Sequence, residues 1–228
     1  MSNRKKSRSS AVTSNNIGLW LVGGGFAIVA LIVVLITWSN NQALQASTEI
    51  DVPVEWQNRN VLGDPNAPVT VEAWEDFLCP SCGQWTSTVE PRIIEDYIKT
   101  GQAKLVFQYF PLSMHGPGAT LGAMAAECAA DQGAFWPYHG LLFQVANTQG
   151  AAGFTLERLI ELADTANLDG REFTQCLTSQ KYREKIQASV NQAIALELSG
   201  TPSIIIDGQL LTSSFDYEAI SALIEQGQ

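Results

Sequence analysis

The sequence predicts an α/β domain: a small sheet with helices packed on it, interrupted by an all-helical insertion and preceded by one N-terminal transmembrane helix. Three observations predict this. The run "IGLWLVGGGFAIVALIVVLIT", Ile17 to Thr37, is uncharged, apolar and long enough to cross a bilayer as a helix. The segments "VTVEAW", "AKLVFQYF" and "PSIIIDG" are β-branched and aromatic, as strands are. Between the second and the third of these, from Pro111 to about Ser199, helical periodicity is almost continuous.

Residues 1–16 form a basic tail. Arg4, Lys5, Lys6 and Arg8 are the charges of the first forty residues, which hold no acid. The positive-inside rule keeps that tail in the cytoplasm and sends the rest of the chain across the membrane. Trp20 and Trp38 bracket the anchor, assigned to 17–38, at the depth where amphipathic rings favour the interface. The alternative is a cleaved signal peptide, against which the length of the apolar run and the absence of a clean small-residue cleavage site both count. Both readings leave the remainder outside the cytoplasm, in a periplasm or cell-wall space, where cysteines can stay oxidised. That remainder carries 9 basic residues against all 23 acids. Such an acidic domain repels phosphate backbones, which excludes nucleic acid as a partner class.

Residues 39–60 are polar and irregular and read as an extracytoplasmic stalk. The turn cluster Gly63–Pro68 opens the domain proper, taken as 61–228. Val69–Trp74 is the first strand. Trp85, Val89, Ile93, Ile94, Tyr97 and Ile98 then recur at helical spacing, with Gly101 as a stop. Ala103–Phe110 is the second strand, and the helical insertion covers about 112–199. Pro202–Gly208 returns to strand, and "QLL" can pair with it across the Asp207-Gly208 turn. Asp216–Glu225 closes the chain as an amphipathic helix.

The chemistry is expected in "DFLCPSCGQW", Asp76 to Trp85. Cys79 falls where strand gives way to helix, and Pro80 fits the first helical position, where its missing N–H costs nothing. Unpaired N–H groups and the helix dipole lower a thiol's pKa there. Cys82 lies one turn on, within reach of the same sulfur. Cys79 is therefore expected to be the exposed attacking sulfur and Cys82 the buried resolving one. A four-cysteine zinc site would need Cys128 and Cys176, which lack paired spacing, so no metal is expected. No cofactor is expected either.

With those residues in view, the chain resembles the DsbA-like thiol–disulfide oxidoreductases, which have a thioredoxin-like fold with a helical insertion. "VTVEAWEDFLCPSC" is similar to their first strand and active site. "VFQYFPL" with "AAECAADQGAFWPYHGLLF" is similar to their second strand and the start of the insertion, and "GTPSIIIDGQLL" to their cis-proline strand. The membrane-anchored type with a second cysteine pair is the nearest match. The resemblance implies a cis Thr201–Pro202 bond facing the cysteine pair, with Thr201 and Pro202 binding substrate. It also implies exported protein substrates and a membrane quinone-linked thiol oxidase as partner.

Two departures stand out. The acid that many relatives carry six residues before the first cysteine is Ala73 here. Glu72 is one step off and on the opposite strand face, which leaves Glu75 and Asp76 as nearby acids. Asp76 is taken as a modulator of the active site, a turn or helix-start residue being the alternative. Ser81 stands where strongly oxidising members carry His, so Cys79 is expected to be less acidic and the protein a milder oxidant. Cys128 and Cys176 are either buried free thiols or a structural disulfide, which the exported compartment favours. His115 reads as structural or groove-lining, and His139 as packed or surface. The charges of Lys181, Arg183, Glu184 and Lys185 read as a solvated helix face.

The leading function is a dithiol oxidase introducing disulfides into exported proteins. A reductase or isomerase with the same residues is the first alternative. A non-catalytic assembly or binding factor on the same scaffold is the second.

Overall fold

The computed structural model describes residues 30–35 and 51–227. The chain divides into two units, Met1–Ala43 and Leu44–Gln228. In the first, residues 30–35 are helical. The rest of the predicted transmembrane helix lies outside the described residues. Among the described residues no helix is long and apolar enough to cross a membrane.

The second unit is built on a six-stranded sheet ordered β1-β2-β4-β3-β5-β6. Its strands are β1 (Gln57–Asn58), β2 (Val61–Leu62), β3 (Val69–Glu75), β4 (Ala103–Tyr109), β5 (Ser203–Ile206) and β6 (Gln209–Leu210). β1 thus falls inside the stretch read as stalk. Its two residues pair with β2, and Val52 just before it is buried. β3 and β4 are parallel, with Val71 opposite Leu105 and Glu75 opposite Tyr109. β5 runs antiparallel to β3, and β6 returns across a turn with Asp207 and Gly208 both at positive φ. That is the hairpin geometry that an Asp-Gly pair favours.

The alternation of apolar residues decides the two faces of the sheet. Val69, Val71, Ala73, Leu105 and Phe107 enter the main core with the helices of the insertion. Trp74 and Ile205 point the other way and make a smaller core with Phe110, Ala193 and Leu198.

The crossover from β3 to β4, for which the periodicity predicts one helix, is broken in three: α1 (Pro80–Thr88), α2 (Glu90–Ile93) and a π-helical turn, Ile94–Ile98. Pro91 is the cause. It has no N–H to donate, and its ring would collide with the carbonyl four residues earlier. The break turns Glu90 inward, where it is buried.

The insertion comprises α3 (Pro117–Ala130), α4 (Phe135–Gln149), α5 (Leu156–Thr165), α6 (Gly170–Thr178) and α7 (Arg183–Ala195). Thr155 caps α5 by accepting from the N–H of Arg158, and Asp169 caps α6 by accepting from those of Arg171 and Glu172. The closing helix α8 (Tyr217–Gln226) is capped by Asp216. An ion-pair cluster ties the insertion to the β1–β2 turn. Arg59 Nη2 meets the buried Glu127 carboxylate at 2.5 Å, and Arg59 Nη1 meets Asp131 at 3.1 Å. Lys185 reaches Glu127 at 2.6 Å and Lys181 reaches Asp131 at 2.7 Å, so these lysines do more than solvate a helix face.

Candidate active site

β3 ends at the centre of the sheet, and the chain leaves it through Asp76–Leu78 into α1. Cys79 is the N-cap of that helix, in extended backbone geometry, with Pro80 at the first helical position. The N–H of Cys79 donates to the Asp76 carbonyl at 3.0 Å, and the Cys79 carbonyl accepts from Gly83 at 3.1 Å. Both thiols of the pair are free. Cys79 keeps 8% of its surface in solvent and Cys82 none. The order of accessibility is the expected one. Cys79 is nonetheless less open than expected, because the Thr201 carbonyl stands 3.3 Å from its sulfur.

Thr201–Pro202 is a cis bond. The register of β5, with Ser203 opposite Trp74, delivers it to the end of β3 beside the cysteines. Ser203 Oγ donates to the Gly200 carbonyl at 2.7 Å and Ser214 Oγ to the Pro202 carbonyl at 2.6 Å. Trp85 of α1 closes the ring by donating from Nε1 to the Ser214 carbonyl at 2.9 Å. The cysteine helix and the proline loop are therefore held against each other by side chains whose donors are all used.

The two sulfurs differ sharply in acidity. The hydrogen bond from Cys82 is the largest influence on Cys79. With help from the N–H groups of Ser81 and Cys82, it outweighs burial and pulls the Cys79 thiol down to about 5. The Thr201 carbonyl can accept only from a protonated thiol. The Thr201 hydroxyl is buried without a partner and is the donor available to a thiolate. Burial first, then the hydrogen bond to Cys79 and the charge of Glu75, pushes the Cys82 thiol far up.

Asp76 is buried and brackets the loop. One carboxylate oxygen accepts from the N–H of Leu78 at 2.8 Å. The other accepts from the N–H of Leu112 at 2.8 Å and faces His115 Nδ1 at 2.7 Å. It joins the cysteine loop to the segment after β4, and His115 is its partner. Pro80 and Ser81 are exposed on the first turn of α1.

Below the pair lies a group that the motif did not announce. Glu75, Glu90 and His139 are all buried, and their ligand atoms lie within 4.8 Å of one another. Glu75 is on the same strand face as Ala73, two residues on. The two-residue strand period that excluded Glu72 therefore pointed to Glu75. Glu90 is brought in by the break at Pro91. His139 comes from α4 and sits among Phe77, Phe107, Phe135, Trp136 and Phe143. Burial pushes Glu90 up to about 8 and His139 down to about 3. Glu75 is raised well above the carboxylate range, by burial first and then by the charge of Glu90. Cys128 and Cys176 are joined in a disulfide, with Cα atoms 5.8 Å apart, between α3 and α6.

Comparison with known proteins places the fold in a known family. A family model described as thioredoxin matches residues 56–226. The probable disulfide bond formation protein D of Bacillus anthracis is 32% identical over 165 residues, which cover 71% of this chain and 75% of that one. The crystal structure of oxidised BdbD from Bacillus subtilis superposes with a TM-score of 0.67 at 27% identity, covering 77% of this chain and 95% of that one. A Na(+)/H(+) antiporter NhaA of Salinispora tropica is 32% identical over 182 residues, 80% of this chain. The match spans about a quarter of that relative, 26% of its length.

Proposed function

The chain belongs to the DsbA-like thiol–disulfide oxidoreductases of thioredoxin-like fold, and from that premise we propose that it is an extracytoplasmic dithiol oxidase using the Cys79–Cys82 pair. The observation that carries the direction is the placement of the two sulfurs, with Cys79 at the N-cap of α1, where first-turn N–H groups favour its thiolate, and Cys82 fully buried behind it. A low-pKa thiol is a good leaving group and a stable product of reduction, which favours passing the disulfide on.

The steps follow from the positions. A substrate thiolate attacks Cys79 Sγ of the oxidised pair, and Cys82 leaves as a thiolate that takes up a proton. The second substrate thiolate then attacks the substrate sulfur of the mixed disulfide. Cys79 departs as a thiolate, stabilised by the Cys82 thiol, the first-turn N–H groups and the Thr201 hydroxyl. The substrate dithiol has lost two electrons and the cysteine pair has gained them. Thr201 and Pro202 would hold an extended substrate chain beside Cys79.

A membrane quinone-linked thiol oxidase would remove the electrons again. The apolar run 17–37 would keep both proteins in one plane and raise their effective concentration, a reading that rests on sequence alone. Refolding of a reduced, disulfide-containing test protein by the oxidised enzyme checks the proposal. Transfer should occur and should vanish in Cys79→Ala. A reduction potential near thioredoxin's, about −270 mV, together with insulin reduction, would support the reductase reading instead.

A further inference from the structure

We propose that His115, held by Asp76, is a general base for the reaction, its Nε2 taking the proton of the substrate thiol that attacks Cys79. The proposal deepens the oxidase reading and rests on its first step. Only a thiolate attacks a disulfide, and a cysteine of ordinary acidity, about 8.5, is roughly 3% ionised at pH 7. A base beside Cys79 would draw on the protonated remainder. In the step, the substrate S–H proton passes to Nε2 and the freed sulfur bonds to Cys79 Sγ. The Cys79–Cys82 bond breaks and its electron pair leaves on Cys82. The substrate sulfur is thereby oxidised to a mixed disulfide and Cys82 is reduced. The imidazolium then gives its proton to water.

Geometry carries the argument. The Asp76 carbonyl accepts from the N–H of Cys79 at 3.0 Å, so the residue that holds His115 also holds the attacked cysteine. The Asp76 carboxylate is wholly buried. One oxygen receives the N–H of Leu78 at 2.8 Å, and the other receives the N–H of Leu112 at 2.8 Å and meets His115 Nδ1 at 2.7 Å. Carboxylate oxygens that take backbone N–H groups act as acceptors, so Nδ1 carries the ring proton and Nε2 the lone pair. His115 keeps 18% of its side chain in solvent, and Nε2 is neither buried nor partnered among the described residues. An imidazole with one nitrogen on a buried carboxylate and the other open is oriented to take a proton.

The surroundings offer a substrate no other base. Segments 77–89, 105–126, 198–206 and 208–215, which meet around the redox pair, contain no Asp, Glu, Lys or Arg, and His115 is their only histidine. Glu75, Glu90 and His139 are buried below the pair, out of a substrate's reach. The ionisable groups around His115 are Asp76 from the loop before α1, Cys79 at the cap of α1, and Arg183 of α7, which lines a cavity of about 300 Å³ with Pro117 and Gly118. The same turn, Ser113–His115, presents Met114 with 82% of its surface exposed, an apolar side chain for a substrate to pack on beside the base. Asp76 acts through His115 and is a positioning residue.

The test is single-turnover reduction of the oxidised full-length protein by a peptide with two ordinary cysteines, at pH 7, pH 8 and pH 9.5. Attack by pre-formed thiolate rises with the ionised fraction, roughly eightfold from pH 7 to pH 8 for a thiol at about 8.5. Attack through a base uses the protonated thiol and is nearly level over that unit, so wild type should rise by less than about twofold. A wild-type rise of about eightfold would overturn the proposal without any variant. His115→Gln keeps a donor for Asp76 and removes the base. It should be about ten- to thirtyfold slower than wild type at pH 7, the upper figure being the excess of protonated thiol, and should equal wild type at pH 9.5. Equal rates at pH 7, or a deficit that persists at pH 9.5, would mean a structural role and overturn the assignment. Asp76→Asn, whose amide lets Nδ1 lose its proton, should show the same deficit at pH 7, and a wild-type rate there would overturn its positioning role. A base speeds both directions alike, so the equilibrium of His115→Gln with glutathione should match that of wild type. That equilibrium tests the oxidase reading and the rates test this one, so either can fail alone.

Discussion

Lowering the pH should destabilise the reduced enzyme, and a separable part of the loss should belong to Cys79. The folded thiol sits at about 5, against about 8.5 in an unfolded chain. A depressed pKa means stability that is fully present above the unfolded value and is lost as pH falls through the folded one. Between pH 7 and pH 4 the unfolded thiol is protonated throughout, so the loss is the two pH units between 7 and 5, roughly 3 kcal/mol at 1.36 kcal/mol each. Screening at a helix N-terminus that touches solvent trims this to a working figure of about 2 kcal/mol. In a chain of this size that is a fall in Tm of about 4–8 °C. The assay is thermal or urea unfolding of the reduced protein across that range, run beside reduced Cys79→Ser to subtract every carboxylate that titrates in the same window. The ultraviolet absorbance of the thiolate should follow the same midpoint. If wild type and Cys79→Ser lose stability in parallel, Cys79 is not an acidic thiol.

Ser81→His should lower the Cys79 midpoint below 5, because an imidazolium at the first turn adds a charge where serine offers a hydroxyl; a thiolate titration reads it, and an unchanged midpoint refutes it. The wild-type potential should lie between thioredoxin's, about −270 mV, and DsbA's, about −120 mV, and equilibration with glutathione measures it. Asp76→Asn should cost roughly 1–3 kcal/mol in urea unfolding, since an amide cannot accept from Leu78, Leu112 and His115 together. Removing the Cys128–Cys176 disulfide, whose residues are 48 apart in sequence, should cost up to about 4 kcal/mol of stability. It should leave disulfide transfer at moderate temperature intact, and loss of transfer by a still folded double serine variant would contradict a purely structural role for this disulfide.

Much of this molecule could be read in one dimension. The strand-to-helix position of Cys79, the proline after it, the alternation in Val69–Glu75 and the Asp207-Gly208 turn are local signals with local causes, and each lies where such a signal puts it. The resemblance supplied the rest of the frame by matching several separated segments in order. Extended pieces at the edge of the sheet were harder. Gln57–Asn58 is too short and polar to read as a strand, and pairing with Val61–Leu62 is what makes it one.

Sequence by itself determined that this chain places a dithiol where a strand gives way to a helix, because helix capping and proline geometry are properties of a few consecutive residues. Only the tertiary structure decided what surrounds that dithiol. The break at Pro91 turns Glu90 inward, α4 brings His139 from across the insertion, and β5 sets Thr201 against the sulfur. Those groups are far apart along the chain, and their charge states depend on exclusion from water. Burial is a property of the packed molecule, so the acidity of Cys79 and the proton affinity of the group beneath it could be assigned only after the fold was known.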